Sequence, residues 1–305
     1  MLQPQPVPVQ DLLHPIFEEK SIQLSILRLD LVHPEVSGNK FFKLKNNLAE
    51  AKKQGKRTLL TFGGAFSNHI YATASAAQSA GFRSIGVIRG EDADEYNPTL
   101  LHAKEMGMGL NFIDRETYRQ KNTPDFLEKL KIQFGDFYLI PEGGTNELAV
   151  RGTEEILQKS HFSFTDICVS IGTGGTFAGL ASSIQEHQRL VGFSSLKGEF
   201  IIQEMEKMLT GFGIQSRGKL EINTDFHFGG YGKFKPELID FMIWFHREFK
   251  IPLDPVYTGK MAFGVWNLIG ENHFLPGSKI MMIHTGGLQG NLGFKGKTGI
   301  DLPIL

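Results

Sequence analysis

Short runs of aliphatic and β-branched residues recur along the chain. Each ends in glycine and is followed by apolar residues at helical spacing. In "RTLLTFGGAFSNHIYATASAAQSAG" the pattern predicts a strand over Leu59 to Phe62 and a turn at Gly63-Gly64. An alanine-rich helix follows from Asn68 to Ala80, closed by Gly81. "SIGVIRG", Ser84 to Gly90, reads as the next strand. "FYLIPEGGTNELAVRGTEEILQKS" repeats the sequence of strand, paired glycine and helix, with its turn at Gly143-Gly144. "DICVSIGTGGTFAGLASSIQEHQ" does so again, with Ser170 to Thr176 as the loop, and "KIMMIHTGGLQG" closes the set. Strand, loop and helix in alternation predict an α/β fold with mainly parallel sheets. Ligands of such folds collect at the carboxyl ends of the strands, where glycine lets backbone approach them closely.

Length and composition narrow the class. A chain of 305 residues suits one large or two moderate domains. Residues 49–150 are expected to form a smaller α/β unit inserted into a larger one built from 1–48 and 151–305. The apolar fraction of 41% and charged fraction of 21% predict a packed protein. The net charge of −1 argues against a nucleic-acid or anionic-membrane partner held by bulk electrostatics. No apolar run is long enough to span a bilayer, and the start "MLQPQPVPVQDLLHPIF" does not resemble a secretory leader. The one cysteine, Cys168, sits in a strand-like run and is expected to be a small buried hydrophobe; with no disulfide possible within the chain, a cytoplasmic location is expected.

The glycine loops are selective in what they exclude. "SIGTGGTFAG", Ser170 to Gly179, offers backbone N–H groups at a helix start, which suits a phosphate. It is not a Walker A sequence, because no Gly-Lys-Ser/Thr follows at the required spacing, nor a dinucleotide fingerprint, because Phe177 stands where the third glycine belongs. A phosphate monoester on a cofactor is favoured over a nucleotide. Ser67 and Asn68 open a helix, as N-caps or as ligands for a carboxylate or phenolic oxygen. His284 is expected to be structural. No HExxH, paired CxxC or EF-hand pattern is present, so no metal is expected. "SGNKFFKLKNN", Ser37 to Asn47, places three lysines at Lys40, Lys43 and Lys45. With a phosphate-bearing ligand and no metal, a lysine near these strand ends suggests a Schiff base. Burial or a cationic neighbour such as Lys43 would free the amine of Lys40.

The segments "SGNKFFKLKNNL", "TFGGAFSNHIYATA", "SIGTGGTFAGL", "GGYGKF", "LDPVYTGKMAFG" and "IHTGG" together resemble the family of D-cysteine desulfhydrase and 1-aminocyclopropane-1-carboxylate (ACC) deaminase. These are fold-type II pyridoxal 5'-phosphate (PLP) enzymes, similar to the tryptophan synthase β-subunit. The resemblance implies two open, twisted, mainly parallel sheets with PLP in the interdomain cleft, a small amino-acid substrate and a homodimer. It implies that Lys40 holds the cofactor and moves the α-proton. Asn68 would contact the phenolic oxygen and Ser67 the substrate carboxylate, while Gly172, Thr173, Gly174, Gly175 and Thr176 cradle the phosphate. Tyr231 and Tyr257 match the two active-site tyrosines, and Gly286 lies in the family's cofactor-binding "HTGG". Members that open ACC carry Glu and Leu where this chain has Thr258 and Thr285. The two threonines resemble the D-cysteine desulfhydrase pattern, in which a hydroxyl can donate to a neutral ring nitrogen. The implied reaction is β-elimination of D-cysteine to pyruvate, hydrogen sulfide and ammonia. The alternatives are ACC deamination to 2-oxobutanoate and ammonia, or PLP binding without turnover. Departures from the pattern, at Ser37, Phe42, Phe66 and Leu288 to Gly290, fall around the expected substrate side.

Overall fold

The computed structural model describes residues 2–304. The described residues form ten strands: β1 (Val9–Leu12), β2 (Gln23–Leu27), β3 (Thr58–Gly64), β4 (Arg83–Arg89), β5 (Met108–Ile113), β6 (Tyr138–Ile140), β7 (Asp166–Ile171), β8 (Arg189–Ser194), β9 (Lys219–Asn223) and β10 (Lys279–Ile283). They make a six-stranded sheet in the order β1-β2-β10-β7-β8-β9 and a four-stranded sheet in the order β5-β4-β3-β6. Every pairing is parallel except that of β1 with β2. Parallel strands covered by helices on both faces read as unbroken apolar runs. Accordingly all six residues of β7 are buried, Cys168 among them, and burial pushes its thiol well above the usual range.

The order of the strands decides where the loops open. In the larger sheet β7, β8 and β9 step outward in one direction, while β10 lies on the other side of β7. In the smaller sheet β3, β4 and β5 step one way and β6 lies on the other side of β3. Each sheet therefore has a reversal point, where loops from adjacent strands part and leave a crevice. The loops after β7 and β10 from one sheet, and after β3 and β6 from the other, line the same cavity.

Local boundaries differ from expectation in understandable ways. The helix that carries Lys40 spans Asn39–Lys53 and begins directly after Gly38, which supplies the turn. The loop expected over Ser170 to Thr176 shrinks to Gly172–Gly174, since β7 continues to Ile171 and the helix Gly175–Ser183 follows. Ser67 caps the helix Asn68–Ala80, accepting from the backbone N–H groups of His69 and Ile70, and Gly81 ends it at φ +75°.

One contact joins the two ends of the chain. Gly38 has φ +66° and ψ −146°, a region that glycine alone occupies comfortably. A Cβ there would lie 2.0 Å from the carbonyl oxygen of Thr285, which also accepts from the N–H of Asn39 at 3.2 Å. Gly38→Ala should lower stability by about 3 kcal/mol, combining backbone strain with a steric clash. Denaturant unfolding of the two proteins checks this.

Candidate active site

The cavity between the two sheets has a volume of about 330 Å³. Its wall from the six-stranded side carries Lys40, Ser170, Gly172–Gly174, Thr176, Tyr231, Tyr257, Thr285 and Gly286. The four-stranded side contributes Ser67, Asn68, Arg89 and Glu142. Of the residues expected to act in catalysis or to hold the cofactor, the structure brings all to this cavity except Gly175 and Thr258; Lys45 and the departures at Ser37, Phe42, Phe66 and Leu288 to Gly290 do not line it.

Lys40 lies in the first turn of Asn39–Lys53 and its amine donates to Asn39 Oδ1 at 3.1 Å. Asn39 in turn donates through Nδ2 to Thr176 Oγ1 at 2.8 Å, so one amide ties the lysine to the glycine loop. Loss of hydration lowers the Lys40 pKa to about 8, opposed by the charge of Asp254. Of the two expected causes, burial and a cationic neighbour, burial is the one that lowers Lys40.

Lys43 has a different place. It is buried, and its amine donates to the carbonyl of Gly143 at 3.0 Å, to Thr145 Oγ1 at 3.0 Å and to Thr173 Oγ1 at 3.3 Å. Burial and then the Lys40 charge pull its pKa well down. A Cβ on Gly175 would fall 3.1 Å from this amine and 3.0 Å from Thr145 Oγ1. Gly174 opens the helix at φ +85°. A buried amine, two threonine hydroxyls and the N–H groups of a helix start converge on a cradle that any side chain would fill. That donor set fits a phosphate dianion. Gly175 belongs to the cradle through its missing side chain rather than through the cavity wall.

The tyrosines stand edge to face, with ring centroids 6.1 Å apart. Burial holds the Tyr257 phenol well above its usual range. Tyr231 is 49% exposed and sits at the mouth. The turn that carries it is fixed by Lys260, a buried lysine that donates to the carbonyls of His227 and Gly230, each at 2.8 Å. Sequence reading passed over Lys260, Arg89, Glu142, Asn39 and His69. For two of them the signal was position alone: Arg89 is the last residue of β4, and Glu142 stands two residues beyond the end of β6.

Thr258 is corrected by the structure. Its hydroxyl donates to Asp254 Oδ2 at 2.6 Å and its N–H donates to the same oxygen at 2.9 Å. Asp254 Oδ1 takes the N–H groups of Val256 and Tyr257. Thr258 is thus spent on the turn that orients Tyr257 and does not reach the cavity. Thr285 does reach it, with its hydroxyl 3.2 Å from Ser170 Oγ. His284 is structural: one ring nitrogen lies 2.8 Å from the carbonyl of Pro252 and the other accepts from the N–H of Gly286.

Residues 12–286 match the sequence profile of the pyridoxal-phosphate dependent enzyme family. The chain belongs to that family, whose cofactor is pyridoxal phosphate. It is 32% identical to a protein of Pyrococcus horikoshii provisionally named as 1-aminocyclopropane-1-carboxylate deaminase, over 92% of this chain and 90% of that one. It is 34% identical to the mitochondrial bifunctional D-cysteine desulfhydrase/1-aminocyclopropane-1-carboxylate deaminase of Arabidopsis thaliana, over 88% and 73% of the two chains. A crystal structure of an ACC deaminase homologue superposes with a TM-score of 0.83 at 30% identity, covering 97% of this chain and 94% of that one. Among the described residues no helix is long and apolar enough to cross a membrane.

Two outcomes follow from the lysines. Only a neutral amine attacks an aldehyde, and with its pKa lowered to about 8 Lys40 is mainly protonated below that pH and mainly neutral above it. The rate at which apoprotein takes up PLP covalently should rise with pH and level off above about 8. A lysine at 10.5 would still be climbing at pH 9. Stopped-flow absorbance across pH 6–10 distinguishes the two. Lys43→Met should weaken PLP binding by roughly 10–100-fold, as for loss of one charge-assisted hydrogen bond, and leave binding of unphosphorylated pyridoxal little changed. Equilibrium titration with both compounds measures this.

Proposed function

We propose that the protein is a PLP-dependent lyase of small amino acids, with D-cysteine as substrate and pyruvate, hydrogen sulfide and ammonia as products. The observation that carries this is the placement of Lys40: a partly dehydrated amine with lowered pKa, tied through Asn39 to the glycine loop. PLP, when bound, supplies an electron sink for the charge that develops at Cα. Lys40 takes the α-proton, and a proton leaves with the departing hydrosulfide as hydrogen sulfide. The hydroxyl hydrogen of Ser67, at the start of Asn68–Ala80, is donated to the substrate carboxylate, while its oxygen caps the helix. Asn68 contacts the ring's phenolic oxygen, and Gln289 holds it by donating to its Oδ1. Gly172 to Thr176 and Lys43 take the phosphate.

The ring nitrogen falls to Thr285, with Gly286 beside it. A hydroxyl there leaves the nitrogen neutral, where a carboxylate would favour its protonated form. A weaker sink suits expulsion of a thiol, which drains the developing charge at once. ACC deamination is the second reading, supported by the names of both relatives. Tyr257 and Tyr231 flank the substrate in either case.

Residues 49–150 are proposed as the smaller domain, on the ground that 58–140 supplies the whole four-stranded sheet. A homodimer in the cytoplasm is proposed from the family resemblance and from the lone buried Cys168.

D-Cysteine and ACC should be supplied in parallel to the PLP-loaded protein, with pyruvate, sulfide and 2-oxobutanoate assayed. Pyruvate and sulfide in equal amounts from D-cysteine are expected. A 2-oxo acid from ACC alone would select the second reading, and none from either substrate would overturn both. Thr285→Val should shift the visible band of bound PLP. Thr258→Val should instead lower stability by about 1–3 kcal/mol, since it removes a buried donor from Asp254.

A further inference from the structure

Lys40 and Lys43 face the cavity; Lys260 lies behind its wall, in the helix Thr258–Gly270, one turn beyond Tyr257. It is 1% exposed, and among the described residues no carboxylate lies within ion-pair distance of it. Its amine donates instead to three backbone carbonyls: those of His227 and Gly230, and that of Ser195 at 3.5 Å. Burial lowers its pKa to about 8, opposed by the charge of Asp254, so at pH 7 the group is mainly an ammonium.

The turn around this amine is bent to present oxygen. Phe228, Gly229 and Gly230 follow one another at φ +52°, +97° and +110°. Glycine tolerates such angles, whereas a phenylalanine is strained there. The chain doubles back and brings the carbonyls of His227 and Gly230 to one point. Phe228 anchors the turn in the core, edge to face with Phe263 at 4.9 Å, and Tyr231 follows Gly230 directly. Ser195, whose carbonyl is the third partner, also carries a fully buried hydroxyl with no hydrogen-bond partner.

Backbone carbonyls that converge without a carboxylate suit a monovalent cation, as in channels that replace an ion's hydration shell with such oxygens. A divalent ion would call for carboxylates. Ammonium and potassium carry the same charge and are close in size. Both tyrosines depend on this lysine: Tyr257 immediately precedes its helix, and Tyr231 stands on the turn that it gathers.

We propose that Lys260 is a tethered monovalent cation. Its ammonium fills a latent site of carbonyl oxygens that orders the turn bearing Tyr231, and a free ion of the size of potassium takes that place when the side chain is cut back. Lys260 is thus a positioning residue that acts on substrate through Tyr231. Tethering gives the cation a local concentration that no change in the medium alters, so the wild-type protein needs no added ion. The site stands on the geometry, and its effect on turnover rests on the lyase reading above.

The test compares Lys260→Ala, which leaves room for an ion, with Lys260→Met, which keeps the stem and ends in an apolar group. Each PLP-loaded protein is melted in potassium, ammonium, lithium or choline chloride at one ionic strength. Potassium and ammonium should raise the melting temperature of Lys260→Ala by about 3 °C over choline, and the smaller lithium ion by less. Lys260→Met and the wild type should show no such difference. Rubidium in crystals of Lys260→Ala should place its anomalous signal among the carbonyls of Ser195, His227 and Gly230. D-Cysteine turnover by Lys260→Ala should fall at least about tenfold in choline and recover in potassium. With Tyr231→Phe added, potassium should still raise the melting temperature and no longer restore the rate.

Absence of a potassium-dependent shift in Lys260→Ala would overturn the proposal, as would an equal shift in Lys260→Met or the wild type. Rubidium bound elsewhere, or a Lys260→Ala protein that stays unfolded in potassium as in choline, would do the same. A rate that potassium restores equally without the Tyr231 hydroxyl would remove the link to Tyr231. A shift as expected with no product from D-cysteine or ACC in the wild type keeps the cation site and removes the lyase reading.

Discussion

The site depends on a single close approach of backbone to backbone. Gly38 lies against the carbonyl of Thr285 with no room for a Cβ, and the N–H of Asn39 donates to that same oxygen. The contact fixes where the helix Asn39–Lys53 begins, and so the direction in which Lys40 leaves it. It also ties that helix to β10, the strand whose end carries Thr285 and Gly286. An amine and a hydroxyl drawn from opposite ends of the chain are thereby set on one wall. The reversal in strand order between β10 and β7 brings the glycine loop to the same place.

Three buried or half-buried lysines around this wall have separate tasks, set by their surroundings rather than by their type. Lys40 has one weak partner and a depressed pKa, which suits a nucleophile and proton carrier. Lys43 is held among hydroxyls and a carbonyl at the cradle of the glycine loop, where a dianion would supply the missing countercharge. Lys260 is spent on carbonyls and holds a turn. Removing a cation from water is costly, and each site offsets that cost with a different set of oxygens.

Much of this was legible in the sequence. The paired glycines after β6, β7 and β10 marked loops that meet at the cavity, because ligands of parallel sheets bind at the carboxyl ends of the strands; the pair Gly63-Gly64, read as a turn, instead forms the last two residues of β3. Lys40, Ser67, Asn68, Tyr231, Tyr257 and Thr285 were named through the family resemblance of their motifs, and all six line the cavity. The short outer strands β1 and β9 carried too little apolar periodicity to be seen. The separate roles of Lys40 and Lys43 were hidden because both lie on one helical turn, and only the packing of Gly143, Thr145 and Thr173 tells them apart. Thr258 was misread for a related reason. Sequence shows a hydroxyl beside a tyrosine, but not that Asp254, four residues back, already claims it.

The origin of the cavity's two walls has an evolutionary consequence. The glycine loop after β7 and Thr285 after β10 belong to the six-stranded side, and Ser67, Asn68, Arg89 and Glu142 belong to the four-stranded side. The second sheet is folded from one continuous stretch, 58–140. Changes at the end of β4 can therefore accumulate without touching the glycine loop, whereas those after β6 meet Gly143 and Thr145, which hold Lys43. Such an arrangement lets a lineage exchange one amino-acid substrate for another while the shared chemistry stays intact, with selectivity and reactivity inherited as separable traits.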